Sequence, residues 1–244
     1  MIEEKRDFYI NGEWVKPFQI NDLEVIDPST EEICAVISLG SEKDTNDAVK
    51  AARNSFESWW NTPKEKKLEL LNNLLKIYMN RSAEMAEAIS KEMGAPKDWS
   101  INQQSKSGED HIKTFIDNYK KFKFKNYLNE EQGNYISYEP IGVCALITPW
   151  NWPINQIALK VLPALAAGCT MILKPSEIAP LSAMLFTEMI HEAGFPNGVF
   201  NLVNGDGPGV GTQLSSHPDI DMVSFTGSTR AGKLITKNAA DTIK

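Results

Sequence analysis

Residues 148–153, Thr148-Pro149-Trp150-Asn151-Trp152-Pro153, set one carboxamide between two indoles and two prolines. A neutral amide held in a rigid loop suits hydrogen-bond donation to an oxygen on which negative charge develops. Further on, Lys174-Pro175-Ser176-Glu177 puts an ammonium and a carboxylate at the two ends of one short turn. Such a pair can hold neighbouring hydroxyls of a ligand or form a surface ion pair. Two glycine-rich loops follow. Gly205-Asp206-Gly207-Pro208-Gly209-Val210-Gly211 approaches the G-x-G-x-x-G dinucleotide fingerprint, but its third glycine is out of register, with Val210 in its place. By itself it is either a cofactor loop or a tight turn that lets a helix pack closely. Gly227-Ser228-Thr229-Arg230-Ala231-Gly232-Lys233-Leu234 approaches a P-loop, but Leu234 stands where a hydroxyl must hold magnesium. What remains is a helix N-terminus whose N–H groups and hydroxyls can meet a phosphate.

These groups need elements that bring them together. The apolar run Val143–Ile147 stops at Thr148-Pro149, and Thr170–Leu173 stops at Lys174-Pro175. Uninterrupted runs of this length between breakers read as strands buried on both faces. From Ile141 onward the chain alternates: strand 142–148, helix 155–167, strand 170–174, helix 181–193, strand 199–203, a helix opening near Gly209, strand 222–226 and a helix from Ser228 to 240. Alternating strands and helices predict a parallel sheet wound by right-handed crossovers, with ligands at the loops that leave the strands' carboxyl ends.

Upstream, Phe8–Val15 reads as a hairpin turning at Asn11-Gly12, and Leu23–Asp27 pairs with Ile33–Ile37. Helices follow. Ser41–Asp44 resembles a capping box, with Val49, Ala52, Phe56, Trp59 and Trp60 as one apolar stripe. Thr62-Pro63-Lys64-Glu65 suggests a second capping box with proline at the first helical position, and Leu68, Leu71, Leu75 and Tyr78 as the buried face. A third helix runs from Ser82 to a stop at Gly94, and a fourth covers Ser100–Tyr119. Residues 122–140 break this rhythm with Phe122, Phe124, Tyr127, Tyr135, Ile136 and Tyr138 around a turn-rich centre. They read as a protruding β-arm, a packing or partner surface.

Composition excludes several classes. A net charge of −7, with no dense basic stretch, argues against nucleic-acid binding. The alternating run Lys120–Lys125 reads as an exposed strand edge guarded by lysines. No stretch approaches a membrane span, and three scattered cysteines fit a reducing cytoplasm better than a disulfide frame. His111, His191 and His217 show no metal-ligand spacing, and no metal is expected.

The run Ile147-Thr148-Pro149-Trp150-Asn151-Trp152-Pro153, followed by Lys174-Pro175-Ser176-Glu177 and Phe225-Thr226-Gly227-Ser228-Thr229, resembles the NAD(P)-dependent aldehyde dehydrogenase superfamily. Ile10–Trp14, Asp27–Thr30 and Tyr138–Val143 are similar too, so the resemblance runs through essentially the whole chain. It implies an α/β fold: a doubly wound, Rossmann-like parallel sheet with an N-terminal helical and hairpin layer. Residues 1–121 would be the N-terminal part of the NAD-binding domain, 122–140 an oligomerisation arm, and 141–244 the Rossmann-like core. It implies that Asn151 donates to the oxyanion. Ile147, Thr148, Pro149, Trp150, Asn151 and Ser176 would line the cofactor site, with Lys174 and Glu177 on the adenosine ribose hydroxyls. Glu177 would repel a 2′-phosphate, favouring NAD over NADP. Gly207 and Gly211 would flank the adenine side, and Phe225, Thr226, Gly227, Ser228 and Gly232 the pyrophosphate turn.

The family's nucleophilic cysteine and general-base glutamate lie downstream of the Phe-Thr-Gly-Ser motif, and these residues stop before either. Cys34, Cys144 and Cys169 occupy positions unlike the nucleophile's and read as structural. The expectation is therefore the cofactor-binding half of an enzyme that oxidises an aldehyde to a carboxylic acid with NAD, homo-oligomeric in its full form, and inactive as this fragment with its catalytic domain absent. The alternative is a catalytically inactive nucleotide-binding or assembly module from a truncated or split gene.

Overall fold

The computed structural model describes residues 2–244. The N-terminal segment contributes β1 (Glu3–Glu4), β2 (Phe8–Ile10), β3 (Glu13–Val15), β4 (Asp22–Asp27) and β5 (Glu32–Ser38). Helices α1 (Glu42–Trp60), α2 (Lys64–Asn80) and α3 (Ser82–Met93) follow. After the short α4 (Lys97–Trp99), a π turn over Ser100–Ser105 feeds α5 (Lys106–Lys121). The arm is β6 (Lys125–Asn129) and β7 (Asn134–Ser137). The alternating part then runs β8 (Val143–Ile147), α6 (Pro153–Ala167), β9 (Thr170–Lys174), α7 (Leu181–Glu192) and β10 (Phe200–Leu202). A π turn over Gly207–Gly211 leads into α8 (Thr212–Ser216), and β11 (Met222–Phe225) and α9 (Thr229–Ala239) complete it.

The main sheet has the order β11-β8-β9-β10-β2-β3. Its first four strands are parallel, whereas β2 joins β10 antiparallel. The expected winding is present: side chains alternate between the two faces of every central strand. Cys144, Leu146, Met171, Leu173, Phe200 and Leu202 pack into one apolar cluster, under α2, α3, α5, α6 and α7. Val143, Ala145, Ile172 and Val203 pack into a second, with Ala48, Val49 and Ala52 of α1 and Leu214 of α8. Both faces are covered, which is why β8 and β9 are apolar without alternation. The strand order reverses between β8 and β11. Ligands bind at such a switch point, outside the carboxyl ends.

Several local expectations are corrected. The Asn11-Gly12 hairpin forms with both residues at positive φ, 54° and 86°, as a type I′ turn requires. It is not in a separate layer, however, because β2 carries the main sheet onward from β10. The capping box at Ser41 is present, with Asp44 bonding back to the Ser41 backbone N–H at 2.9 Å. None forms at Thr62: Pro63 itself is the cap residue, and the Thr62 hydroxyl turns back to the Ser58 carbonyl at 2.9 Å. On α2, Leu71 and Tyr78 are buried as expected, but Leu70 and Leu74 join them in place of Leu68 and Leu75, which lie at the margin of the buried face. Trp59 is buried while Trp60 is 43% exposed and stacks on Phe56. The lysine run 120–125 is not a strand edge. Lys120 and Lys121 close α5, favourably for its dipole, and β6 begins only at Lys125.

Candidate functional site

Four parallel strands end at one level. Ile147 of β8 lies opposite Lys174 of β9 and Phe225 of β11, so the loops that follow leave side by side. Thr148 N–H bonds Lys174 O, and Thr226 N–H bonds Ile147 O, each at 3.2 Å, continuing the ladder one step beyond the strands. At the other end of the sheet, Asp221 ties β11 to β8. Its carboxylate accepts from Val143 N–H at 2.7 Å and pairs with Arg53 at 2.7 Å. Gly142 there has φ 131°, and a Cβ on it would strike the Asp221 carboxylate at 1.9 Å, so only glycine admits this clamp.

The loop after β8 begins buried and ends exposed. Ile147 and Thr148 are 5% and 3% exposed, Pro149 is half-buried, and Trp150 is 50% exposed beside an exposed Asn151. The Thr148 hydroxyl is buried with no partner among the described residues, a costly state unless something else supplies one. Trp152 anchors the loop: its indole N–H donates to Ser107 Oγ at 3.1 Å, and Trp99 meets its ring edge-on at 6.0 Å. Pro153 then opens α6 at a position where a missing N–H costs nothing. Asn151 makes no side-chain bond among the described residues.

The turn after β9 is more enclosed. Lys174 is 3% exposed, and its Nζ donates to Pro175 O at 2.9 Å and to Gly205 O, with Glu177 Oε2 at 3.4 Å. Burial pushes the Lys174 ammonium below its ordinary range, and Glu177 works against that. Ser176 is buried, and its Oγ accepts from Ile178 N–H at 3.4 Å. Gly211 comes within reach of the same lysine, since a Cβ on it would sit 3.9 Å from Lys174 Cδ. Gly207 is open: a Cβ there would meet nothing within 4 Å. The tight turn belongs instead to Gly205, where a Cβ would come within 2.2 Å of Val210. The absence of any side chain at 207 therefore answers to no internal packing.

The turn after β11 is the least covered. Phe225 and Thr226 are half-buried, Gly227 and Ser228 exposed, and Gly232 half-buried. Ser228 caps α9 by accepting from Ala231 N–H at 3.2 Å. The Phe225 ring folds under the turn, 2.5 Å from where a Cβ of Gly227 would stand and 3.5 Å from one on Gly232. Lys160 of α6 was not singled out from the sequence, yet its Nζ donates to Thr226 Oγ1 at 2.7 Å, tying α6 to the loop after β11. Burial pushes its ammonium down as well. Its position one turn apart from the buried stripe of α6 was the available signal.

No thiol reaches these loops. Cys144 and Cys169 sit at the amino ends of β8 and β9, the opposite edge of the sheet, and both are buried. Hydrogen bonding to Cys169 and burial both push the Cys144 thiol up. Cys34 lies in the small sheet β1-β5-β4 and donates to Val25 O at 3.3 Å. The histidines are similarly spoken for: His111 bonds Asn155 at 2.9 Å, His191 the Tyr9 hydroxyl at 3.0 Å, and His217 Asn46 at 3.1 Å. A cleft of about 700 Å³ lies elsewhere, between Arg6, Trp14, Asp22 and Glu188. Its cations are already paired: Arg6 with Asp22 at 2.7 Å, and Lys16 with Asp7 at 2.9 Å. Among the described residues no helix is long and apolar enough to cross a membrane, and no group of three or more His, Cys, Asp and Glu could hold a metal ion.

A doubly wound sheet with these loops at its carboxyl edge matches one family over nearly its whole length: residues 14–244 fit the aldehyde dehydrogenase family, and the chain belongs to it. Among curated relatives, 3-succinoylsemialdehyde-pyridine dehydrogenase of Pseudomonas sp is 50% identical over 244 residues, which is 100% of this chain and 50% of that protein. Among solved structures, aldehyde dehydrogenase from Bartonella henselae superposes with a TM-score of 0.97 at 57% identity, covering 100% of this chain and 51% of the other. A cysteine-to-alanine mutant of aldehyde dehydrogenase C from Pseudomonas syringae, solved with NAD+ and octanal, gives 0.95 at 46%, with coverages of 98% and 49%. The chain spans about half the length of the curated relatives it matches.

Proposed function

We propose that the carboxyl ends of β8, β9, β10 and β11 hold NAD, and that the chain serves as the cofactor-binding part of an enzyme oxidising an aldehyde to a carboxylic acid. The observation that carries this is Lys174: a buried ammonium at the end of β9, with Glu177 3.4 Å away and Gly211 against its stem. Two further features fit a dinucleotide. The Thr148 hydroxyl, just past the end of β8, is buried with no partner among the described residues, and Gly207 leaves open the space a side chain would fill. Solved relatives bound to NAD+ support the same cofactor.

In this reading Lys174 and Glu177 bind the adenosine ribose hydroxyls. Glu177 is half-buried and sits where a 2′-phosphate would have to come, so NAD is favoured over NADP. Gly207 and Gly211 border the adenine. Ser228 and the first amides of α9 meet the pyrophosphate, with Gly227 and Gly232 keeping that turn clear of side chains. Ile147, Pro149, Trp150, Thr226 and Phe225 wall the path toward the reacting end. Bound NAD supplies a hydride acceptor. Asn151, exposed and with no internal bond, donates its amide to the substrate oxygen as charge develops there. The three cysteines face away from that loop, so residues 1–244 alone are expected to form no NADH from any aldehyde. NADH formation that depended on Cys144 or Cys169 would overturn this. Three free thiols suit a reducing cytoplasm, and the arm, with Tyr127 and Tyr135 exposed, suits association with another copy.

Calorimetric titration with NAD and NADP tests the cofactor reading. NAD is expected to bind the more tightly, and Glu177→Gln to narrow the gap. NADP binding as well as NAD to the unaltered chain would contradict it.

A further inference from the structure

Helix α7 starts at Leu181 behind Pro180, whose side chain cannot cap it. Its first amides are met from another helix. Glu92, on the last turn of α3, accepts from Ser182 N–H at 3.1 Å and from Leu181 N–H. The carboxylate is 1% exposed and makes no ion pair among the described residues. Ser182 Oγ, buried and otherwise without a partner, faces it. Burying an unpaired carboxylate is expensive, and two charge-assisted bonds to a helix N-terminus offset only part of that. The placement gives the cost a purpose. Glu92 bonds the residues directly after the turn 175–180, and the other bonds that secure this turn among the described residues are local. These are Ala179 N–H to Ser176 O at 3.1 Å, Ile178 N–H to Ser176 Oγ at 3.4 Å, and Lys174 Nζ to Pro175 O at 2.9 Å and to Glu177 Oε2 at 3.4 Å.

We propose that Glu92 is a positioning residue for the Lys174–Glu177 pair, holding the turn between β9 and α7 in its cofactor-gripping shape by capping α7 from α3. The proposal rests on the reading of that pair as the ribose grip.

Burial pushes the Glu92 carboxyl up to about 7. The charged groups on the elements around it are engaged elsewhere: Lys91 with Glu3 of β1, and Arg81 with Glu84 and with Glu188 and Glu192 of α7. Lys5 pairs with Glu188 at 3.6 Å, Glu87 lines the cleft beside Lys91, and the Cys34 thiol of β5 is itself pushed up by burial. The sign is then fixed. The ionised carboxylate accepts both amides, and protonation gives one oxygen a hydrogen of its own, so the tether loosens as pH falls through about 7. Global stability responds oppositely. With the folded value raised, this group's contribution is fully present below the ordinary glutamate range and is lost as pH rises through about 7.

Amide hydrogen exchange on the full 244-residue chain, corrected for intrinsic rates at pH 6 and pH 8, tests this beside NAD titration. Protection of Ile178, Ala179, Leu181 and Ser182 in the unaltered chain is expected to fall several-fold from pH 8 to pH 6. Glu92→Gln should lower it by about tenfold at pH 8, in line with the loss of a helix cap, and remove the pH dependence. Amides of β8 and β9 should not change, and NAD affinity should fall by about as much as the turn loosens. Glu92→Asp keeps the charge and loses the reach, so it should give a weaker version of the same pattern, and it serves if the glutamine variant does not fold. Loosening confined to 181 and 182 with Ile178 and Ala179 unchanged would overturn the proposal, as would protection that ignores pH in the unaltered chain. If that chain took up no NAD, the ribose reading would fall, while the exchange data would still decide whether Glu92 holds the turn.

Discussion

The two sides of the switch point are built to different standards. On the β9 side, every residue from Thr170 to Ser176 is buried, and Lys174 is locked by carbonyls from two loops. On the β11 side, every strand residue is only half-buried, and Gly227, Ser228 and Thr229 stand in solvent. One half of the proposed cofactor site is thus preorganised by packing, whereas the other rests on a single cap, a Phe225 ring and the Lys160–Thr226 bridge. Preorganised groups bind without further ordering cost, so affinity should be concentrated on the β9 side.

The strongest way to break this contrast is Lys174→Met, which keeps the stem and removes the charge. Nucleotide affinity is expected to fall about 100-fold, the range of a lost charge-assisted bond pair, measured by calorimetry. Stability should fall too, by about 1–3 kcal/mol, because the Gly205 and Pro175 carbonyls lose their donor. Thr148→Val separates binding from folding. Removing a buried hydroxyl that has no partner should raise stability by about 1 kcal/mol in denaturant unfolding, while NAD affinity drops about tenfold. A stability loss would mean that the hydroxyl is already satisfied within the chain.

What the sequence made legible follows the same divide. Strong apolar runs between breakers placed β8 and β9, and the residues just past their ends were found because burial on both faces leaves few other readings. The role of Gly205 was not legible: a G-x-G-x-G-x-G run does not say which glycine touches Val210, and only the folded turn does. The missing cap at Thr62 shows the limit of local patterns. Pro63 takes the cap position, and the Thr62 hydroxyl finds the preceding helix instead. Likewise the β2–β3 hairpin was recognisable from Asn11-Gly12, but its partner β10 lies far away in sequence and no short-range signal announces it. Glu92 and Lys160 were missed for that same reason, since each acts on a residue of a distant segment.

Glu177→Gln should leave NAD binding within a few-fold and improve NADP, so the ratio of the two constants is expected to move by about tenfold as a like-charge contact disappears. The smallest effect belongs to the exposed side. Ser228→Ala removes the α9 cap, worth about 1 kcal/mol locally, and should weaken NAD only about two- to three-fold, with faster amide exchange confined to Thr229–Gly232. If Ser228→Ala were to cost as much affinity as Lys174→Met, the contrast between the two sides would be wrong.

The central claim, that the carboxyl ends of these four strands hold NAD, is tested most directly by recording amide chemical shifts of residues 2–244 while NAD is added. Signals of Thr148–Asn151, Lys174–Glu177, Gly205–Gly211 and Thr226–Gly232 are expected to move together and saturate with one constant, while the arm at 125–137 stays in place. Shifts centred instead on the cleft between Arg6, Trp14 and Glu188, or saturation without movement at Lys174–Glu177, would contradict it.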